Sequence, residues 1–357
     1  MARSAASISS GLRTWLTELG TFWNHKRDDS VSSDYASDLL PTVARLGKEE
    51  RRDHAKARLG FDRMGHRVRP GLYTLGSPNR ESKVLVTANY TLSFDALRSA
   101  LVGRDAFLLV LDTQGINVWC AAGKGTFGTD ELLKAIEATL LAERVEHRDL
   151  ILPQLSAPGV SAKAVKEGSG FTVKYGPVRA EDLPEYLDIG ECTEDMRRAR
   201  FDLRDRMVLA PVEMRNYRWG LILMLLAAVL IPFYGLMAMI LTLGGLFLFP
   251  VLLPYLPGKA LSFKGMVLGA LLVTPFALFQ TFPTADLVTV IAVVAEYLLL
   301  VPWIGYLALN FTGSTPFASR TGVKKEIFTY IPIMAIMSVS GAFLSAFGAL
   351  GVVGGWL

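Results

Sequence analysis

One thiol lies in a segment whose residue types and spacing suit chemistry. Cys120 follows the apolar run 116–119 and precedes small residues and further glycines, up to Gly128. This order predicts a strand, a tight loop and a helix that Thr129 caps. Small residues would let a large planar ligand approach closely, and the glycines would leave backbone N–H groups open to it.

The surroundings of Cys120 predict a reactive thiol. Lys124 and the positive end of the following helix should lower the pKa of this thiol, so that part of it is thiolate, the form that binds soft metals. The same position would also suit a nucleophilic or redox cysteine, whereas an isolated buried cysteine is commonly inert. The local pattern leaves these alternatives open.

Spacing excludes several other kinds of site. A phosphate-binding loop needs Gly five residues before the Gly123-Lys124 pair and Ser or Thr after it, whereas the chain has Val118 and Gly125. Two cysteines cannot build a disulfide framework and have no CxxC spacing, and the four histidines form no HExxH motif. The formal net charge of +4 comes with no basic stripe suited to nucleic acid, so no nucleic-acid partner is expected.

Alternating strands and helices are predicted around the thiol. The expected strands are Val84 to Ala88, Ala106 to Leu111, Ile116 to Trp119, Leu150 to Leu152 and Phe171 to Tyr175. The expected helices are Phe94 to Leu101, Asp130 to Ala142 and Val160 to Lys166. This alternation predicts a Rossmann-like α/β domain with a mostly parallel sheet, whose ligand-binding loops lie at the carboxyl ends of the strands.

Composition divides the chain into four parts: an N-terminal extension or subdomain over 1–75, the α/β domain over 76–190, a linker over 191–218 and a transmembrane domain over 219–357. Only five of the 37 Lys and Arg and three of the 33 Asp and Glu follow Arg218. A helix is expected over 11–25, packing on protein or, as an alternative, lying on the membrane surface. No apolar secretory segment precedes the α/β domain, which is therefore expected in the cytoplasm.

The apolar C-terminal part predicts about five membrane-spanning helices. We place them at about 219–234, 236–256, 266–282, 286–308 and 328–349. The first two could form one long helix, but a hairpin turning near Pro232 and Gly235 puts every late basic residue on the cytoplasmic side. An all-α domain in the inner membrane, with the C-terminus outside, is therefore expected. Glu296 within the fourth span keeps a transporter or sensor open as an alternative.

The chain resembles the HgcA family, the corrinoid proteins of microbial mercury methylation, whose corrinoid domain is related to the large subunit of the corrinoid iron–sulfur protein. The resemblance covers roughly residues 75–349. It is carried by Asn117-Val-Trp-Cys-Ala-Ala-Gly-Lys124 and by the segments Val84 to Asp95, Pro153 to Val160, Tyr175 to Arg179, Asn310 to Phe317 and Gly322 to Glu326.

The resemblance implies a cobalamin cofactor with the thiolate of Cys120 as lower ligand of its cobalt. The residues expected to bind the cofactor flank Cys120 or lie in two further loops. They are Asn117, Val118, Trp119, Ala121, Ala122, Gly123, Lys124, Gly125 and Thr126 beside the thiol, Thr87 and Ser93 in one loop, and Leu155, Ser156, Ala157, Gly159 and Val160 in the other.

The resemblance also implies the reaction and its partners. A methyl-folate donor would supply a methyl group that the corrinoid passes to Hg(II), as a carbanion equivalent or as a radical. Reduction of the cobalt would need a ferredoxin-like partner of the HgcB type with two [4Fe–4S] clusters, because two cysteines are too few to hold such a cluster here. The basic loop from Asn310 to Glu326 would dock the cytoplasmic domain or that partner, or would only set the orientation of the helices in the membrane. A methyl carrier for another acceptor, such as arsenic or a carbon-pathway enzyme, is the alternative.

Overall fold

The computed structural model describes residues 35–62, 65–282, 286–312, 315 and 320–355. These residues form an α/β domain followed by a bundle of apolar helices. The helix that the sequence predicts over 11–25 lies outside the described residues, as does most of the loop between 313 and 319.

A six-stranded mixed sheet forms the centre of the α/β domain. Its strands are β1 (Ala36–Thr42), β2 (Gly71–Leu75), β3 (Val84–Ala88), β4 (Ala106–Leu111), β5 (Asp149–Leu152) and β6 (Thr172–Tyr175). Their spatial order is β1-β2-β4-β3-β5-β6. Only β2 and β4 pair antiparallel, so the predicted mostly parallel sheet is confirmed, whereas the mixed order does not establish a Rossmann topology.

Helices cover both faces of the sheet. They are α1 (Lys48–Arg58), α2 (Thr91–Ala100), α3 (Val118–Lys124), α4 (Thr129–Ala138), α5 (Leu141–Arg144), α6 (Ala162–Ser169), α7 (Leu183–Ile189), α8 (Glu194–Arg197), α9 (Leu203–Met207) and α10 (Ala210–Asn216). One core joins the sheet to α3 through α6, and includes Phe127 and Leu132. The other joins it to α2, α7 and α8, and includes Phe94 and Tyr186.

Most local predictions agree with the structure, but the strand predicted just before Cys120 is wrong. The strands predicted at 84–88 and 106–111 are β3 and β4, and both are buried along their whole length, as apolar runs in a sheet covered on two sides should be. Ile116 to Trp119 is not a strand, because α3 begins at Val118. The region 36–75, left without elements by the sequence, adds β1 and β2 to the same sheet.

The C-terminal bundle consists of α11 (Arg218–Leu230), α12 (Pro232–Leu252), α13 (Leu261–Thr281), α14 (Leu287–Thr312) and α15 (Arg320–Gly354). Four of these five, α12 to α15, are long and apolar enough to cross a membrane. The fifth, α11, has 13 residues, which span about 20 Å and fall short of an apolar layer of about 30 Å. The expectation of five spans is thus corrected to four full-length apolar helices and one short one.

The helices α11 and α12 form the hairpin that the sequence favoured over one long helix. The helical geometry is interrupted at Ile231, with φ −135° and ψ 75°. Gly235 lies against the backbone of Ala228, and the Thr242 hydroxyl lies 3.3 Å from the Met224 sulfur, so the two helices run antiparallel.

At the other end of the bundle, Tyr217 bonds to Asn310, Lys264 donates to the Leu253 carbonyl, and Ser262 N donates to Glu326. Four basic residues therefore lie at this end of the bundle: Arg218 at the start of α11, Lys264 in the first turns of α13, and Lys324 and Lys325 in the first turns of α15. The helices α9 and α10 lie beside this end and contact α12.

Candidate functional site

The loop after β4 is held by one buried side chain, Asn89, which lies just past β3. Its amide oxygen accepts hydrogen bonds from the backbone N–H groups of Thr113 and Gly115, at 3.0 and 2.9 Å. Its amide nitrogen donates to the carboxylate of Asp112 at 2.9 Å. Because Asn89 is 2 % exposed, these bonds form away from water and fix the path of the chain toward Cys120.

Cys120 lies in the first turn of α3 and is partly exposed. Asn117 is the N-cap of this helix, and its side-chain oxygen accepts from the Cys120 N–H at 2.9 Å. This cap explains why the predicted strand does not form: Gln114 and Gly115 turn the chain with positive φ, and Asn117 then starts a helix. Asn117 therefore positions the start of a helix, and Trp119 lies in its first turn.

The two faces of α3 differ sharply. Ala121 and Ala122 are buried in the core, so they support the helix rather than face a ligand. Gly123, three residues after Cys120 and on its face of the helix, is exposed together with Lys124 and Gly125. A Cβ added at Gly123 or Gly125 would meet no heavy atom within 4 Å. A flat group could therefore approach the backbone beside the thiol.

The predicted binding loop 155–160 packs on the side of α3 that faces the core. A Cβ at Gly159 would collide with the Phe127 carbonyl and lie 3.0 Å from the Cα of Ala122, so this glycine permits close packing rather than ligand contact. Ser156 and Val160 are buried, Ala157 is half-buried, and the Val160 carbonyl accepts from the Tyr175 hydroxyl at 2.7 Å. In contrast, the buried Thr126 hydroxyl has no hydrogen-bond partner among the described residues.

The helix after α3 begins one residue earlier than predicted. Gly128 is its N-cap, and Thr129, expected to be the cap, is the first helical residue and instead accepts from Ser161 N at 2.9 Å. Asp130 and Glu131 lie in the first turn, as predicted, where carboxylates interact favourably with the helix dipole.

A cleft of about 280 Å³ opens at the carboxyl ends of β3, β5 and β6, next to the start of α3. Six of the predicted binding residues line it: Thr87, Ser93, Asn117, Val118, Trp119 and Leu155. The sequence missed Gly176, Pro177, Val178, Ala180 and Leu183, which line its other wall. The sequence feature that could have identified them is their position directly after the predicted strand that ends at Tyr175. Cys120 does not line this cleft, but it adjoins Trp119, which does.

The second cysteine differs from Cys120 in its surroundings. Cys192 packs against the α2 and α7 side of the sheet, and its sulfur lies 3.7 Å from the Tyr175 carbonyl oxygen. Burial raises the pKa of the Cys192 thiol, which keeps it protonated at neutral pH. Among the described residues, no group of three or more His, Cys, Asp or Glu side chains could hold a metal ion.

The α/β domain is similar to known proteins over most of its length. Residues 62–187 match the family described as CO dehydrogenase/acetyl-CoA synthase delta subunit. The acetyl-CoA decarbonylase/synthase complex subunit gamma of Methanopyrus kandleri is 36 % identical over 124 residues, which are 34 % of this chain and 26 % of that protein. The subunit gamma of Methanothermobacter thermautotrophicus is 32 % identical over 123 residues, again 34 % of this chain and 26 % of the relative.

The family match covers the part of the chain that carries the cleft and Cys120. The chain spans about a quarter of the length of both relatives, and the apolar bundle lies outside the matched residues. The α/β domain is thus similar to subunits named for CO dehydrogenase/acetyl-CoA synthase and acetyl-CoA decarbonylase/synthase, and it is joined here to helices that could cross a membrane.

Proposed function

We propose that this protein is a membrane-anchored corrinoid methyl carrier in which the thiolate of Cys120 ligates the cobalt of a cobalamin and Hg(II) accepts the methyl group. The observation that carries the proposal is the partly exposed Cys120 beside the open surface at Gly123 and Gly125. It lies within the segment that is similar to the acetyl-CoA decarbonylase/synthase subunits.

The residues around Cys120 fit a large flat cofactor. Gly123 and Gly125 leave room beside the sulfur, and the Thr126 hydroxyl, which has no hydrogen-bond partner within the described part of the chain, would donate to a cofactor side chain. Trp119, Thr87 and Ser93, which line the cleft, would contact the periphery of the cofactor. A bound corrinoid would supply a metal that carries a methyl group between a donor and an acceptor.

The protein's own contribution is to hold the sulfur in place and to donate charge. Asn117 fixes the first turn of α3, and Asn89 fixes the loop before it, so the position of Cys120 is set before any cofactor binds. A thiolate ligand is a strong electron donor, which would favour release of the methyl group with its electron pair to an electrophile such as Hg(II). A methyl-folate would be the donor.

The bundle would place this chemistry at the inner membrane. We assign the end that carries Arg218, Lys264, Lys324 and Lys325 to the cytoplasm, because basic residues are enriched on that side. The short α11 would carry the chain across to the start of α12, and α12 to α15 would span the bilayer, which puts the C-terminus outside. Glu296 is paired with Gln280, whose amide donates to both carboxylate oxygens, and we assign this pair to the packing of α14 on α13 rather than to transport.

An electron donor of the HgcB type, with two [4Fe–4S] clusters, would be a separate protein. Lys324 and Lys325 are exposed near the start of α15 and would attract an acidic partner. Replacing both with Gln should slow cobalt reduction by the partner most at low ionic strength. Equal rates across a salt series, in correctly inserted protein, would leave these lysines with a role in topology alone.

A spectrum and an acceptor assay test the proposal together. Purified protein reconstituted with cobalamin should show corrinoid absorption, and Cys120→Ala should change the cobalt spectrum and abolish methyl transfer to Hg(II). Cys192→Ala is the matched control and should retain both. A colourless protein after reconstitution, or a Cys120→Ala variant with an unchanged spectrum, would overturn the cofactor assignment.

A second acceptor is favoured by the names of the relatives, which belong to a complex that acts on acetyl-CoA. The methylated protein should therefore be offered Hg(II), arsenite and an acetyl-CoA synthase in parallel. Transfer to the synthase but not to Hg(II) would retain the corrinoid carrier and replace mercury as the acceptor.

A further inference from the structure

Phe61 is a large apolar side chain that is solvent-exposed at the boundary between the α/β domain and the bundle. It follows α1 and is 49 % exposed, and Leu59 beside it is 45 % exposed. Its ring centroid lies 3.8 Å from the guanidinium carbon of Arg215. Gly60 lies equally close to α10, because a Cβ there would be 3.4 Å from Cδ of Arg215. The loop Leu59–Asp62 thus packs on the last turn of α10.

The helix α10 ends at Asn216, and α11 begins at Arg218 after the single residue Tyr217. Tyr217 N donates to the Glu213 carbonyl, and Leu221 N donates to the Tyr217 carbonyl, so hydrogen bonds of helical spacing cross the junction. Arg215 therefore lies about one helical turn, roughly 6 Å, before Trp219. Trp219 is 65 % exposed, and its face of α11 continues with exposed apolar residues: Ile222, Leu223 and Leu226.

We propose that the loop Leu59–Asp62 is a membrane-contact site, in which Phe61 enters the headgroup region of the bilayer beside Trp219. The inference depends on the membrane location of the bundle proposed above. Its basis is continuity: the apolar stripe of α11, which would face lipid, extends through Arg215 to the ring of Phe61. A second segment of the α/β domain, distant in sequence from the bundle, then touches the same membrane surface.

Three basic side chains beside this loop suit an anionic phospholipid surface and outnumber the one exposed acid within it, Asp62. Lys56 and Arg58 in the last turn of α1 and Arg218 at the start of α11 are all exposed. Arginine and lysine side chains can extend along apolar surface while their charged ends reach phosphate groups, and tryptophan prefers the same depth. The combination of exposed aromatic rings and basic side chains is typical of an interface with lipid.

The contact would also orient the candidate site. The carbonyl of Phe61 accepts from Nε2 of His66 at 2.6 Å, and the carbonyl of His66 accepts from Thr91 N at the start of α2. The loop is thereby connected to the segment that follows β3, at the carboxyl edge of the sheet where the cleft opens. Membrane contact at Phe61 would hold this edge, rather than the opposite one, near the bilayer.

Spin labelling of the full-length chain tests the contact directly. Single cysteines at Phe61, Val102 and Val229 would be introduced into a Cys120→Ser, Cys192→Ser background and labelled with a nitroxide. The proteins would be placed in nanodiscs of equimolar phosphatidylglycerol and phosphatidylcholine. Val102, 61 % exposed in the turn between α2 and β4 at the opposite edge of the sheet, is the aqueous control. Val229, 74 % exposed on α11, is the lipid control.

Collision rates of each label with oxygen and with a water-soluble nickel chelate give the result. The oxygen-to-nickel ratio at position 61 should be severalfold higher than at 102 and lower than at 229. A ratio at 61 equal to that at 102, or protection of the label from both reagents, would overturn the contact while leaving the membrane location intact. A water-like ratio at 229 would overturn both, whereas cobalt ligation by Cys120 would be unaffected by any of these outcomes.

Discussion

The α/β domain and the helical bundle use different contacts to fix their geometry. In the α/β domain, buried side chains such as Asn89 hold loops through several hydrogen bonds to backbone groups. In the bundle, glycines allow backbones to approach closely. A Cβ at Gly265 would lie 2.8 Å from the Ile304 carbonyl, and one at Gly269 would lie 3.1 Å from the Val301 Cα. The first arrangement fixes loop geometry for chemistry, whereas the second fixes the distance between helices.

The two regions also differ in whether the family match covers them. That match runs over residues 62–187 and ends before the bundle. The part that could do chemistry therefore lies within the family match, whereas the part that could anchor it lies outside that match. Substitutions that remove the loop contacts of the α/β domain and substitutions that disturb helix packing in the bundle should therefore have different measurable effects.

The largest effect is expected from Asn89→Ala in the α/β domain. The change leaves the buried N–H groups of Thr113 and Gly115 without an acceptor, which should cost about 2–4 kcal/mol of local stability. Hydrogen exchange of a peptide covering the loop before Cys120 should accelerate by about 30- to 1000-fold. Asn79→Ala, at an exposed turn, is the control and should leave that peptide unchanged. Equal protection in both variants would show that Asn89 does not hold the loop.

The next effect is expected in the bundle, from Gly265→Ala. The added methyl group would collide with Ala308 and the Ile304 carbonyl, so α13 and α14 must separate. Such overpacking typically costs about 1–3 kcal/mol. The thermal midpoint in detergent, followed by size-exclusion chromatography, should fall. Gly220→Ala makes the same change where no atom lies within 4 Å and should not lower it; equal midpoints would argue against close packing at Gly265.

A smaller effect is expected from the polar pair in the bundle. Glu296 is 6 % exposed and accepts from the Gln280 amide at 2.9 and 2.8 Å. Hydrogen bonds between membrane helices contribute on average about 0.6 kcal/mol and at most about 1.7 kcal/mol. A double-mutant cycle of Gln280→Ala and Glu296→Ala should give a coupling energy in this range. A coupling near zero would mean that the pair adds nothing to the packing of α13 and α14.

The smallest effect is a pH dependence in the α/β domain. Burial alone would lower the pKa of His66, but hydrogen bonds to the Phe61 carbonyl and the Asp53 carboxylate raise it above its ordinary value. Both ring nitrogens face acceptors, so the cationic form is stabilised by folding. This stability is fully present below about pH 6.5, the ordinary value for His, and is lost as pH rises through the raised pKa.

Thermal unfolding between about pH 5.5 and pH 8.5 checks this sign. The midpoint of the wild-type α/β domain should fall as pH rises, and His66→Gln should flatten the curve. Asp53→Asn should move the fall to lower pH, because it removes one of the groups that raises the pKa. Parallel curves for wild type and His66→Gln would contradict the assignment.

Local sequence patterns determined much of this protein. Long apolar runs predicted β3 and β4 because strands covered on both faces bury every side chain. The distribution of charge separated the bundle from the α/β domain, and the small residues after Cys120 marked the candidate site. These features were readable because each depends on residues that are near one another in the chain.

Only the tertiary structure decided how those pieces meet. Apolar residues at 116–119 resemble a strand, but the Asn117 cap and the loop held by Asn89 put Cys120 on a helix. Ala121 and Ala122 face the core rather than a ligand, because that side of α3 packs on the sheet and on Gly159. The place of β1 and β2 in the sheet, and the contact of Phe61 with Arg215, join segments far apart in the chain. Pairing at that distance depends on the shape of both partners, which no local pattern encodes.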